Sequence, residues 1–162
     1  MRRGFIFLFS ALAAPLAAQE IDFDIAPVEA CLLEAPDKRS CVGLAAETCA
    51  ETPDGGTTVG LGFCYGRELD WWDARLNVAY QDLLAQKREL DAEMEEIGAT
   101  VPSQADALQA MQRAWIAYRD ATCDYERSLW GGGTGGGPAT SACLMRETGE
   151  QALYLEAGLE QR

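Results

Sequence analysis

Six cysteines, Cys31, Cys41, Cys49, Cys64, Cys123 and Cys143, in a chain without a single histidine constrain this fold more than any other feature. A metal centre of the usual kind would need C-x-x-C pairs or imidazole ligands, and the sequence has neither. An even set of cysteines instead predicts three disulfides, which persist in an oxidising compartment. Joining neighbours in order is the favoured pairing. Cys31 and Cys41 sit five residues on either side of Pro36, where a helical hairpin would reverse and bring them level. Cys49 and Cys64 flank the turn-forming ETPDGGTT, and Cys123 and Cys143 flank a glycine run. On the chain-entropy model each closed loop adds roughly 3 kcal/mol of stability, less any strain.

The first residues, MRRGFIFLFSALAAPLAAQE, place two arginines before an apolar stretch that ends in small residues. That layout predicts a Sec-type signal peptide over residues 1–18, cut after Ala18. Gln19 follows where a lipoprotein would carry a cysteine, so no lipid anchor is expected. Residues 19–162 are expected to form a single periplasmic or secreted domain with no membrane association after signal removal. The net charge of −13 becomes more negative still when Arg2 and Arg3 are lost. Such an acidic surface repels phosphate backbones and anionic headgroups and excludes nucleic acid as a natural partner. A cationic protein would be attracted.

Hydrophobic spacing predicts an all-α chain. Leu69, Trp72, Leu76, Ala79, Tyr80, Leu83, Leu90, Met94 and Ile97 recur in steps of three, four and seven, the pattern of one amphipathic helix over about 66–97. Ser103 is a suitable N-cap for a second helix over about 103–129, with Leu108, Met111, Trp115, Tyr118, Thr122, Tyr125 and Leu129 as its inward stripe. The run WGGGTGGGP interrupts it, because glycine gives up too much backbone freedom to hold a helix. A last helix over about 140–159 would use Cys143, Met145, Thr148, Ala152, Leu155 and Leu159. Residues 26–50 suggest a short helical hairpin, while TTVGLGFC fits either a turn or a brief strand. Together these make a disulfide-stapled antiparallel helical bundle.

Chemistry is scarce. Without histidine the common nucleophile and base pairs are missing, and no calcium loop or Walker-type phosphate loop is present. No catalytic, metal-binding or cofactor-binding residue is assigned. A glycosidase-like pair of carboxylates is conceivable, but acids are so abundant that no pair stands out. The segment ELDAEMEE, residues 89–96, holds five acids and no base. It is either a solvated helix face or a patch that steers a basic protein, with Glu89, Glu93 and Glu96 as contacts. The glycine run is either a tether or a ligand-contacting tip built around Trp130.

In QRAWIAYRDATC, residues 112–123, Gln112, Trp115, Arg119 and Cys123 share one helix face. This predicts a structural seam in which an enclosed Arg119 requires a carboxylate, with Glu68 or Asp73 as candidates, and Trp115 requires a partner for its indole N–H.

ELDWWDARLNVAY at residues 68–80, followed by QRAWIAYRDATC, Cys143 and a helix containing QALYLE, resembles the N-terminal domain family of LprI-type lysozyme inhibitors over about residues 64–157. Leu76, Asn77, Tyr80, Gln112, Trp115, Arg119, Asp120 and Cys123 match the family motif. The resemblance implies an exported, helical, disulfide-containing domain and, for some relatives, inhibition of lysozyme. The expected function is non-covalent binding of a cationic protein such as lysozyme rather than enzymatic turnover. A cell-envelope interaction module is the alternative, and a carboxylate-based glycan hydrolase ranks below both.

Overall fold

The computed structural model describes residues 21–160, and every described element is helical. The expected signal peptide lies outside the described residues. Helix α1 spans Ala26–Glu34 and begins with a proline in its first turn, where a missing N–H costs nothing. A short 3-10 turn, Lys38–Cys41, follows, opened by the Asp37 carboxylate accepting from the Arg39 amide. Helix α2, Leu44–Ala50, starts at Gly43, whose φ of 102° is a left-handed conformation that glycine adopts without steric cost. Three long helices, α3 (Thr58–Glu96), α4 (Gln104–Ser128) and α5 (Gly136–Glu160), form the body.

Helix α3 begins at Thr58, eight residues before the expected start. The segment TTVGLGFC is its first two turns, neither turn nor strand. Thr57 supplies the cap, its hydroxyl accepting from the Gly60 amide at 3.0 Å, and Gly60 allows the incoming Asp54–Gly55 backbone to press against the helix. At 39 residues α3 is about 58 Å long. Helix α5 likewise starts earlier than expected, because Gly136, Gly137 and Pro138 form its first turn. Proline is tolerated there for the same reason as in α1.

The chain runs up, down and up through α3, α4 and α5, so sequential helices are antiparallel and α5 lies parallel to α3. Gly149 sits against Trp72 and Gly158 against Leu83, which fixes that register. A Cβ at position 149 would lie 2.8 Å from Val42 Cγ1 and 3.2 Å from Trp72 Cδ2, so the absent side chain is what lets α5 lie so close to α3. The core is built around Trp72, Leu76, Ala79, Leu83, Ala152 and Leu155, with Val28, Ala45 and Ala46 of the N-terminal helices closing one end.

Three disulfides join Cys31 to Cys41, Cys49 to Cys64, and Cys123 to Cys143. The first ties α1 to the 3-10 turn, the second α2 to α3, and the third the end of α4 to the start of α5. The inward face of α4 is not the stripe that the apolar spacing suggests. Ala105, Leu108, Gln112 and Cys123 are buried, while Tyr118, Tyr125 and Leu129 are exposed. The Cys123–Cys143 bridge and a Gln112–Gln151 hydrogen bond turn the glutamine and cysteine side of α4 towards α5, rotating the tyrosines outward.

Candidate partner-binding face

The seam in α4 is polar at its centre and open at its edge. Gln112 is buried and its carbonyl accepts from the Gln151 side-chain amide at 3.0 Å, so neither amide enters the interior unpaired. Trp115 and Arg119, one and two turns further along, are only half-buried. The Arg119 guanidinium lies 5.0 Å from the centroid of the Trp115 ring and donates to Asp120 at 2.7 and 2.9 Å. Expectation placed it inward against Glu68 or Asp73, and the structure corrects that. Asp73 accepts from Asn77 at 3.0 Å. Glu68 is fully enclosed and accepts from the Gly43 amide at 2.6 Å, the Ala46 amide at 2.7 Å and the Trp72 indole N–H at 2.9 Å. An arginine at the bundle edge keeps part of its hydration, so nothing compels it to seek a buried acid.

The carboxylate that does enter the core was legible as a position but not as a role. Glu68 shares a stripe with Trp72 and Leu76, and an acid on an apolar face signals a buried partner. Its partners are backbone amides of α2, which no residue spacing announces. Among the other motif positions, Leu76 is buried, Tyr80 half-buried, and Asn77 and Asp120 exposed.

Between α4 and α5 runs a slot of about 360 Å³ lined by Met111, Ala114, Trp115, Tyr118, Gln151 and Tyr154. Tyr118 and Tyr154 are 61% and 58% exposed, so two aromatic rings stand at its mouth with little covering them. Arg119 lies instead in a neighbouring cleft with Leu69, Asp70, Asp73 and Leu144. The slot side of Trp115 is therefore open.

A second feature lies beyond the end of α5. Because Gly158 meets Leu83, α5 stops about two-thirds of the way along α3, and the last three turns of α3 have only α4 beside them. This two-helix tip is closed by Asp91, which accepts from the Ser103 hydroxyl at 2.7 Å and the Gln104 and Ala105 amides at 2.8 and 3.0 Å. These bonds hold its carboxyl below the ordinary 3.8, the Ser103 hydroxyl contributing most. Glu89, Glu93 and Glu96 are exposed on the tip, and Ile97 is 73% exposed. From residue 89 to residue 112 there are six acids and no base.

Trp130 is not part of that patch. Its ring rests over Gly135, where any Cβ would collide with it, and it borders Leu61, Tyr65 and Pro138 at the opposite end of the bundle. Tyr65 and Glu89 are separated by about 36 Å along α3 at 1.5 Å per residue. The expected contacts Glu89, Glu93, Glu96 and Trp130 thus occupy two ends of the molecule.

Residues 49–155 match the family model described as Lysozyme inhibitor LprI. The chain belongs to the LprI family. The match begins at Cys49, so it takes in two of the three disulfides, all of α3 and α4, and α5 as far as Leu155; α1 and the Cys31–Cys41 bridge precede it. Every residue lining the slot falls inside the LprI match. An uncharacterized 17.7 kDa protein in the puhA 5′ region of Rhodobacter capsulatus is 28% identical over 122 residues, covering 75% of each chain. An uncharacterized protein of Rhizobium meliloti (strain 1021) is 31% identical over 100 residues, 62% of this chain and 72% of its own. No solved structure matches. Among the described residues, no helix is long and apolar enough to cross a membrane.

Proposed function

We propose that this protein is an exported, periplasmic inhibitor of lysozyme-type muramidases that acts by non-covalent binding and performs no turnover of its own. The family match over residues 49–155 carries this reading. Two physical features support it. The chain has a net charge of −13, and muramidases of this type are cationic, so long-range attraction would accelerate their encounter. The acids of the α3–α4 tip, Glu89, Glu93 and Glu96 among them, are exposed where a basic surface could approach without displacing any part of the fold. Three disulfides suit an oxidising envelope compartment.

The test is lysozyme turnover of bacterial cell walls titrated with the protein lacking residues 1–18, at low and at high salt. Inhibition at micromolar protein in low salt, weakening as salt screens the charges, is the expected result. Absence of inhibition at micromolar protein in low salt would end this reading.

A further inference from the structure

The charge of this protein is distributed unevenly around α4. Ala107, Met111, Ala114, Tyr118, Ala121 and Tyr125 follow one another at steps of three and four, so they form a single line along the helix. None carries a charge, and all but Met111 are exposed. The charged residues of the same helix, Asp106, Arg113, Arg119, Asp120, Asp124, Glu126 and Arg127, all fall off that line. Within this line Met111, Tyr118 and Tyr125 are of the residue types that concentrate at contact surfaces, and the line has the depletion of charge found at the centres of such surfaces, while its alanines leave the rings accessible.

Two observations identify the occupant. The line leaves the acidic tip, where residues 89–112 hold six acids and no base, and passes the slot one turn later. On the α5 side of that slot, the exposed Glu150 stands one helical turn before Tyr154 and so on the same face, with Glu147, already bonded to Arg146 at 3.4 Å, one turn before Gln151. The slot is shallow and open, flanked by the rings of Trp115, Tyr118 and Tyr154 over an apolar base, with the Glu150 carboxylate near its edge. That combination suits a long apolar stem ending in a cation. The molecule already contains an instance of the pairing, because Arg119 lies over the ring of Trp115 from the adjoining cleft.

We infer that the α4–α5 slot is the docking point for a lysine or arginine side chain of a basic protein, and that the uncharged line of α4 is the surface packed around it. This rests on the inhibitor reading for the partner's identity but not for the chemistry of the site. The acidic tip supplies attraction at a distance; the slot supplies the short-range anchor that sets how long the complex lasts.

The experiment compares Ala114→Arg, which puts a cation at the slot mouth on an exposed helical position, with Ala74→Arg, which adds the same charge at an exposed position on the outer side of α3. Arginine is a good helix former, and circular dichroism with thermal melting verifies that both variants fold. Two probes are titrated by calorimetry: a cationic lysozyme and a hexa-arginine peptide. Ala114→Arg is expected to weaken both by about tenfold or more, while Ala74→Arg changes either by about twofold or less. If the peptide shows this pattern and lysozyme does not bind wild type, the inhibitor reading fails and the slot stands. If both variants lose affinity equally, only net charge matters and the slot is overturned. It is also overturned if neither variant loses affinity or if wild type binds neither probe. A wild-type dimer that Ala114→Arg converts to monomer, with both probes unaffected, would assign the face to a second copy and overturn it as well.

Discussion

The Glu68 carboxylate reaches from α3 to the start of α2 and lies 2.6 Å from the Gly43 amide nitrogen, twenty-five residues earlier in the chain. Its other oxygen takes the Ala46 amide, and the Trp72 indole completes the set. One buried acid thereby satisfies two N–H groups that a helix start leaves unpaired and fixes the rotamer of the largest buried side chain.

Removing that carboxylate leaves three enclosed donors without an acceptor. Glu68→Ala is expected to lower stability by about 3 kcal/mol, since each unsatisfied buried group costs roughly 1–3 kcal/mol before relaxation. Glu68→Gln keeps one acceptor oxygen but turns an NH2 towards a donor, so about 2 kcal/mol is expected. Urea denaturation midpoints at neutral pH check both. A change within error for Glu68→Ala would show that water or repacking replaces the carboxylate.

The Cys123–Cys143 bridge closes a separation of 20 residues that contains the glycine run. Gly131 and Gly132 have φ of 52° and 86° and hold the chain in a tight reversal with no side chains to pack. Without the crosslink, the segment would be restrained only by α4–α5 packing, the Trp130 ring over Gly135 and short-range turn bonds such as the Gly133 amide to the Trp130 carbonyl at 2.8 Å. The double variant Cys123→Ser, Cys143→Ser is expected to lose about 3 kcal/mol on the chain-entropy account. Thermal melting of the variant beside wild type, with thiol counting by mass, measures it. An unchanged midpoint would mean that packing along α5 already holds the loop.

Helix number and order were legible because Trp72, Leu76, Ala79 and Leu83 keep the helical step over several turns, and the cap Ser103 falls where local chemistry requires it. The neighbour-by-neighbour arrangement of cysteines about Pro36 and the two turn segments was a local signal too. What the sequence hid was rotation. The seven stripe positions on α4 fall within about 100° of arc at 3.6 residues per turn, but the buried face is turned to one side of that arc, and the turn is set by long-range partners, Gln151 for Gln112 and Cys143 for Cys123. The role of Glu68 was hidden for the same reason, because its acceptor duty is set by amides folded in from α2. The slot exists only as a consequence of that rotation.

Asp91 ties the end of α3 to the start of α4, and its carboxyl is held below the ordinary 3.8 by the Ser103 hydroxyl, then by the Ala105 and Gln104 amides. A carboxylate whose folded pKa is depressed adds stability above its unfolded pKa, and that contribution disappears as pH falls from there through the folded value. Asp91→Ala should therefore be less stable than wild type at neutral pH, and the gap should close progressively as pH is taken below 3.8. Melting temperatures of both proteins through that range provide the comparison. A gap that stayed constant into strong acid would show that the carboxylate charge has no part in capping α4.

Arg119 supplies the contrast to Glu68. Its guanidinium rests 5.0 Å from the Trp115 centroid and bonds to the exposed Asp120. A partly solvated cation–π contact is worth about 0.5–1 kcal/mol, and an exposed ion pair between sequence neighbours adds roughly 0–1 kcal/mol. Truncation strands no buried donor, because the Asp120 carboxylate is already in contact with water. Arg119→Ala is thus expected to cost about 1 kcal/mol, a fall of about 3–5 °C in melting temperature for a chain of this size, and clearly less than Glu68→Ala. Parallel melts of the two variants decide the order. A larger loss for Arg119→Ala would mean that the guanidinium carries the α3–α4 seam after all, and that Trp115 depends on it to hold the slot wall in place.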